Sequence, residues 1–323
     1  MLVQQLLTSK IYAKEKFDLI PQVIQKNIDL FAVYFVFLIT YACFSLIPKP
    51  PALTLERYHL SVLGVRLIYL TIIIILALIW GAGFYGFAKL RAYSRTIGKQ
   101  KDGKPVRIIT NGIFLIVMWL PVSEVISVIL RFIGTHHAGF MPAATIIDNY
   151  IYLLLPLAGF ILLGVGARGL SGLIKAKHNF FLTNFLYLVV VFAGVTYAHL
   201  VATTKDIGLV YNLSIWVILL TIVVPYMYMW VTGATAAYEI YNYQRLVSGV
   251  LYKRSWSMLA IGCGWLIIGS MFFQYVATVL GSRLNTLSIY AVLAIIYSLL
   301  AVLSIGFIFI ALGAARLQKI EEV

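Results

Sequence analysis

Eight long apolar runs, separated by short and mostly basic connections, fix what this chain can fold into. A helix that crosses a bilayer needs about 20 mostly apolar residues, each rising about 1.5 Å through a hydrocarbon core about 30 Å thick. The stretches near residues 30–48, 60–87, 112–132, 150–166, 180–201, 209–230, 256–280 and 286–312 meet that requirement. The runs are continuous, so each can satisfy its own backbone hydrogen bonds as a helix in lipid. The alternating segments of about ten residues that a barrel needs do not occur. The expected fold is therefore all-α, a polytopic membrane bundle of eight transmembrane helices. Residues 1–29 form an N-terminal segment, 30–312 a single transmembrane domain and 313–323 a short tail.

Only 11% of the residues are charged and the mean hydropathy is +0.96. Soluble domains carry about 25% charged residues. This excludes a soluble enzyme, a disordered chain, a collagen-like chain and a secreted disulfide scaffold. The two cysteines, Cys43 and Cys263, lie inside apolar runs with no metal-ligand spacing, and buried free cysteine behaves as a small hydrophobe.

The net charge of +14 would suggest nucleic acid in a soluble protein, but its distribution along this chain has another cause. With the N-terminus inside, 19 of the 25 Lys and Arg fall on the inner side. They are Lys10, Lys14, Lys16 and Lys26; Lys89, Arg91, Arg95, Lys99, Lys101, Lys104 and Arg107; Arg168, Lys175 and Lys177; Arg245, Lys253 and Arg254; and Arg316 and Lys319. Lys49, Arg57, Arg66, Arg131, Lys205 and Arg283 fall outside. The positive-inside rule then places both termini in the cytoplasm, with the plasma membrane as the expected location. The expected partner is a bilayer with anionic headgroups on the inner side, where each juxtamembrane cation is worth about 1 kcal/mol. Nucleic acid is not needed.

The first apolar run begins too late for a cleavable signal. Leu2, Val3, Leu6, Leu7 and Ile11 recur at helical spacing beside Lys10 and Lys14, as in an amphipathic helix lying on the inner surface and ended by Pro21. A flexible leader is the alternative. The basic stretch 88–108 reads as the longest inner loop, with a tight turn at Lys101-Asp102-Gly103-Lys104. It offers a place for a membrane or cytosolic protein partner, or simply a solvated loop against lipid.

Alternate helices end in similar words: Ala88-Lys89-Leu90, Ala167-Arg168-Gly169-Leu170, Tyr238-Glu239-Ile240 and Ala315-Arg316-Leu317. Duplication of a two-helix unit would produce them. The positive-inside rule alone also favours a small residue and a cation there, and that is the plainer reading. Small residues four apart, at Ala82/Gly86, Gly233/Ala237 and Ala260/Gly264, suggest that the inner half packs most tightly.

Ionisable residues inside a membrane are costly and mark functional candidates. Glu124 lies midway along the third run just after Pro121, and Ser127 and Arg131 share its helix face. Arg66, about two turns into the second run from its outer end, pairs with Glu124 if these consecutive antiparallel helices are neighbours. Asp148, Thr196, Tyr197, His199, Gln274 and Tyr275 fall in the same outer half. Arg66, Glu124, Ser127, Arg131, Asp148, His199 and Gln274 are thus the candidate ligand-binding set. An interhelical salt bridge with Arg131 as an anchor is the plainer account of the charges among them. Pro121, Pro156 and Pro225 inside spans fit broken transporter helices and ordinary membrane helices alike.

His136, His137 and His199 are candidates for metal, but no H-E-x-x-H motif occurs and a loop histidine pair is the simpler reading. No cofactor is required. Gly164-Val165-Gly166-Ala167-Arg168-Gly169 matches G-x-G-x-x-G, yet it closes a membrane helix, where close packing explains it better than nucleotide binding. No nucleophile motif occurs. The leading reading is a transporter or sensory module that binds an ion or small molecule at an outward-facing polar site. In it Glu124 takes a cation or proton, Arg66 and Arg131 an anionic group, and Tyr197 and Tyr275 form walls. The alternative is a structural subunit of a membrane complex, and the third is a membrane metal or haem enzyme.

Overall fold

The computed structural model describes residues 61–136, 141–172, 223–283 and 288–321. The regular structure among these residues is helical, in six long helices. They are α1 (Val62–Thr96), α2 (Gly103–His136), α3 (Met141–Gly172), α4 (Val224–Leu246), α5 (Val250–Arg283) and α6 (Ile289–Glu321). Five of them, all but α4, are long and apolar enough to cross a membrane. The expected spans 30–48 and 180–201 lie outside the described residues, as do the N-terminal segment and the first part of span 209–230.

Each helix packs on its neighbours in sequence, and α6 returns to α1, so the six close into a ring. The core is one apolar cluster centred on Trp80, Phe84, Phe160, Trp230, Trp256 and Phe307, each at most 1% exposed. Outward faces carry apolar side chains instead of charges. On α1, Leu63, Leu67, Leu70, Ile74 and Leu78 follow one helical stripe and are all exposed, as a lipid-facing side requires.

The ring is built from two copies of a three-helix unit. On α2 a methyl group at Gly112 would stand 2.7 Å from both the Gly159 carbonyl oxygen and the Leu163 nitrogen of α3. On α5 a methyl at Gly262 would stand 2.9 Å from the Gly306 oxygen and the Ile310 nitrogen of α6. Gly166 meets Pro105 and Ile109 as Gly313 meets Ser255 and Leu259. Gly83 sits against Val117 and Phe307, and Gly233 against Ile267 and Phe160. Every residue of α1 and α2 in these contacts has its counterpart 150 positions later, and every residue of α3 has its counterpart 147 positions later. The last pair also exchanges α6 for α3, as a twofold relation between the units demands. Both units run in the same direction across the bundle, so the repeat is parallel rather than inverted.

This revises the two-helix repeat. The similar words do occupy matched places, since Leu90, Leu170, Ile240 and Leu317 are all fully buried. The repeating unit among the described residues nevertheless has three helices. The sequence carries it in Trp80/Trp230, Gly83/Gly233, Tyr93/Tyr243 and Arg95/Arg245, and in Gly159-Phe160-Ile161 against Gly306-Phe307-Ile308.

Several local expectations also change. The stretch 88–108 is not a long loop, because α1 continues to Thr96 and α2 starts at Gly103. Lys89 and Leu90 are buried within the bundle, and the helix pays nothing to extend through Arg91, Ala92 and Arg95, all good helix formers. The turn itself is tight: a side chain on Gly103 would collide with the Ile97 carbonyl oxygen, so glycine is required there. The fourth run starts earlier than expected, since α3 begins at Met141 and so carries Asp148 inside it. The Ala82/Gly86 pair packs as expected, with Gly86 against the Ala311 backbone. On α5, however, contact runs through Gly262, while Gly264 faces open space. The G-x-G-x-x-G run lies within α3, where Gly166 and Gly169 face Pro105 and Gly164 faces Thr232.

One end of the ring gathers the cations. α1, α3, α4 and α6 finish there and α2 and α5 begin there, bringing together Arg91, Arg95, Lys99, Lys101, Lys104, Arg107, Arg168, Arg245, Lys253, Arg254, Arg316 and Lys319. Among the described residues, only Arg66, Arg131 and Arg283 belong to the opposite end.

Candidate functional site

Hydroxyl side chains in lipid normally bond to their own helix, and this bundle follows the habit. Thr110 donates to the Val106 carbonyl at 2.8 Å, Ser255 to Leu251 at 2.9 Å and Ser270 to Ile267 at 2.8 Å. Ser123 departs from it. Its hydroxyl is fully buried in α2 and has no partner among the described residues, and the same holds for the indole Nε1 of Trp119, one turn earlier on the same face. Each such group costs about 1–3 kcal/mol when left unmade in the interior. Pro121 lies between them inside α2 and removes one backbone donor from the helix there.

This face of α2 looks across to the other unit. The Trp119 ring meets Phe273 of α5 edge to face, with centroids 5.3 Å apart, and Phe273 stacks on Tyr152 of α3 at 5.6 Å. The rings of Trp119, Phe273 and Tyr152 thus form one aromatic group in the half of the bundle away from the basic end, with Ser123 one turn further along α2. Ser127 and Gln274 are buried in the same half, on α2 and α5. By the 150-residue relation Gln274 is the counterpart of Glu124, so both units carry a long polar side chain at this level.

Of the candidates read from the sequence, α2 places Glu124, Ser127 and Arg131 at successive positions on one helix, and α3 carries Asp148. The side chains of Glu124, Arg131 and Asp148 lie outside the described residues, as do His137 and His199 and the side chain of His136. Arg66 stands on α1 with its side chain exposed, near the end away from the basic cluster. Among the described residues no three of His, Cys, Asp and Glu converge on one point. Trp119 and Ser123 are not among the sequence candidates, because a lone indole and a lone hydroxyl in an apolar run are ordinary membrane-helix residues. The usable signal was their four-residue spacing around Pro121.

A second polar layer lies at the basic end. Tyr243 of α4 donates to Asp102 Oδ2, in the turn between α1 and α2, at 2.5 Å. Burial, the hydrogen bond and the carboxylate charge together push the Tyr243 phenol well above its ordinary value. Its ring packs edge-on against Trp256 at 5.0 Å, and Tyr93, its counterpart in the first unit, approaches the same indole at 6.5 Å. On α4 Glu239 and Asn242 are also buried, and the Asn242 amide nitrogen has no partner. Lys89, the counterpart of Glu239, is buried beside the Tyr85 ring at 5.7 Å. The units therefore keep opposite charges at matched places.

No known protein family, no curated protein and no solved structure matches this chain, so the reading of the site rests on its own residues.

Proposed function

We propose that the chain is a membrane transporter or sensory module that binds a small polar solute between its two three-helix units. The observation that carries this reading is the pair of buried donors without a partner among the described residues, Trp119 Nε1 and Ser123 Oγ, one turn apart on α2 where the Trp119 ring meets Phe273 of the other unit. Such groups persist where a ligand or water completes them. Transporters built from parallel repeats hold their substrates at the repeat interface.

The donors suit a carbonyl, carboxylate or similar acceptor on the solute. Phe273, Tyr152 and the Trp119 ring suit an apolar or cationic portion, and Glu124 of the same helix is proposed to take a cation or proton. Arg66, being exposed, is better placed as an interfacial anchor, and Trp119 and Ser123 take over the acceptor-binding part of its role. The basic end faces the cytoplasm of the plasma membrane, and the site opens to the opposite side.

Thermal melting of the purified full chain against ions, metals and small polar metabolites tests this. A compound that raises the melting temperature of the wild type, with the shift lost in Ser123→Ala and Glu124→Gln, supports the site. Shifts that survive both substitutions would refute it. A chain that responds to nothing, and melts only together with co-purifying proteins, would point to a structural subunit.

A further inference from the structure

We infer that a groove at the basic end, between the start of α5 and the flank of α6, is a binding site for one anionic glycerophospholipid. The groove is open, has a volume of about 300 Å³ and is lined by Gln244, Lys253, Arg254, Ser257, Met258, Ile261 and Phe309. Arg254, Ser257, Met258 and Ile261 follow one stripe of α5, spaced by three, four and seven residues. The stripe changes character along its length, from cation through hydroxyl to apolar, over about 10 Å of helix. That is the profile of a phospholipid, with its charge at the membrane surface and its chain running inward.

Lys253 and Arg254 are both exposed, and among the described residues no carboxylate pairs with either. They lie in the first turn and a half of α5, where the helix dipole adds positive potential. The α4–α5 turn that exposes this helix start uses Gly249 at φ +98°, a conformation other residues rarely adopt. Arg254 offers a planar fork for a phosphodiester and Lys253 a second charge, while Gln244 and Ser257 can reach glycerol and ester oxygens. Below them Met258, Ile261 and the Phe309 ring give an acyl chain an apolar slot. A soluble phosphate would use only the upper half of this surface, and a protein partner would not require the apolar slot to run into the membrane.

The repeat supplies an internal control. The matched positions in the first unit include Lys104 and Arg107, so that surface is also basic. It has Asn111 where the groove has Ile261, and Leu162 where the groove has Phe309, so the slot is not reproduced.

The test is native mass spectrometry of the full chain in nanodiscs of phosphatidylcholine containing a minor fraction of phosphatidylglycerol, counting retained lipids. The wild type is expected to hold one phosphatidylglycerol in preference to phosphatidylcholine. The Lys253→Gln/Arg254→Gln variant should hold it about thirtyfold more weakly, at about fivefold per cation. Ile261→Asn, which keeps both charges, should also weaken it, and Lys104→Gln/Arg107→Gln should leave it in place. Equal losses in the two charge variants would show diffuse attraction and overturn the site. Equal retention of phosphatidylcholine, or protection of the groove by inorganic phosphate alone, would overturn the lipid assignment.

Discussion

Tyr243 and Asp102 are 141 residues apart in sequence, yet a 2.5 Å hydrogen bond joins them across the two units at the basic end. The counterpart of Asp102 in the second unit is Tyr252, so no carboxylate stands at the matched position there. The Tyr243–Asp102 link fastens the α1–α2 turn to α4 where the ring is densest in charge. A bundle that opens at this end must break that link.

Tyr243→Phe should therefore destabilise the protein by about 1.5–3 kcal/mol, the usual worth of a hydrogen bond to a charged group. The effect should be strongly non-additive with Asp102→Ala in a double-mutant cycle read by thermal melting. Tyr243 also sets a pH dependence. Its folded-state value is raised, so its contribution is complete below the ordinary tyrosine value of about 10 and declines as the pH rises above it. The wild type should lose stability between neutral pH and pH values above about 10, and Tyr243→Phe should lose less over the same interval.

The repeat predicts matched sensitivity at the glycine crossings. Gly112→Ala and Gly262→Ala each push a methyl against backbone of the partner helix, and each should cost about 1–3 kcal/mol. Gly264→Ala has open space before it and should be neutral, or stabilising by up to about 1 kcal/mol through helix propensity. Thermal melts of the three variants in one detergent check this.

The membrane-helical character was legible in the sequence because long apolar runs permit no other backbone arrangement in lipid. The ends of the helices were not. α1 and α2 run on through Lys89, Arg91 and Arg107, where hydropathy falls but helix propensity does not. The repeat was partly visible as similar helix ends, but its true period was hidden by looking for two helices. Trp80/Trp230 and Gly83/Gly233 carry it because they fill the core and the closest crossings, where side-chain size matters most. Among the candidate residues, Ser127 and Gln274 stand out in the sequence by polarity inside apolar runs, and both are buried. Trp119 and Ser123 were missed because an indole and a hydroxyl look ordinary until their lack of partners is seen.

Sidedness gives a separate prediction. Lys99 lies exposed in the α1–α2 turn and Ser288 is exposed just before α6, at opposite ends of the ring. With Cys43 replaced by serine, Ser288→Cys should react with a membrane-impermeant thiol reagent in intact cells. Lys99→Cys should react only after the membrane is opened. The reverse pattern would invert the orientation.

Trp119→Phe and Ser123→Ala each remove a buried donor that has no partner in the bundle. Without added solute they should leave stability unchanged or raise it by about 1 kcal/mol, because an unmet polar group is lost. Solute-induced stabilisation should disappear. A purely structural hydroxyl or indole would give the opposite, a lower melting temperature in every condition.

The most direct measurement is the water accessibility of position 123. Ser123→Cys, in the full chain lacking Cys43, would be treated from the side opposite the basic end with a small impermeant thiol reagent. Labelling should be slower than at Ser288→Cys, clearly above that of buried Cys263, and suppressed by any compound that stabilises the wild type. A thiol at 123 as inert as Cys263, with or without such a compound, would contradict a solute site between the two units.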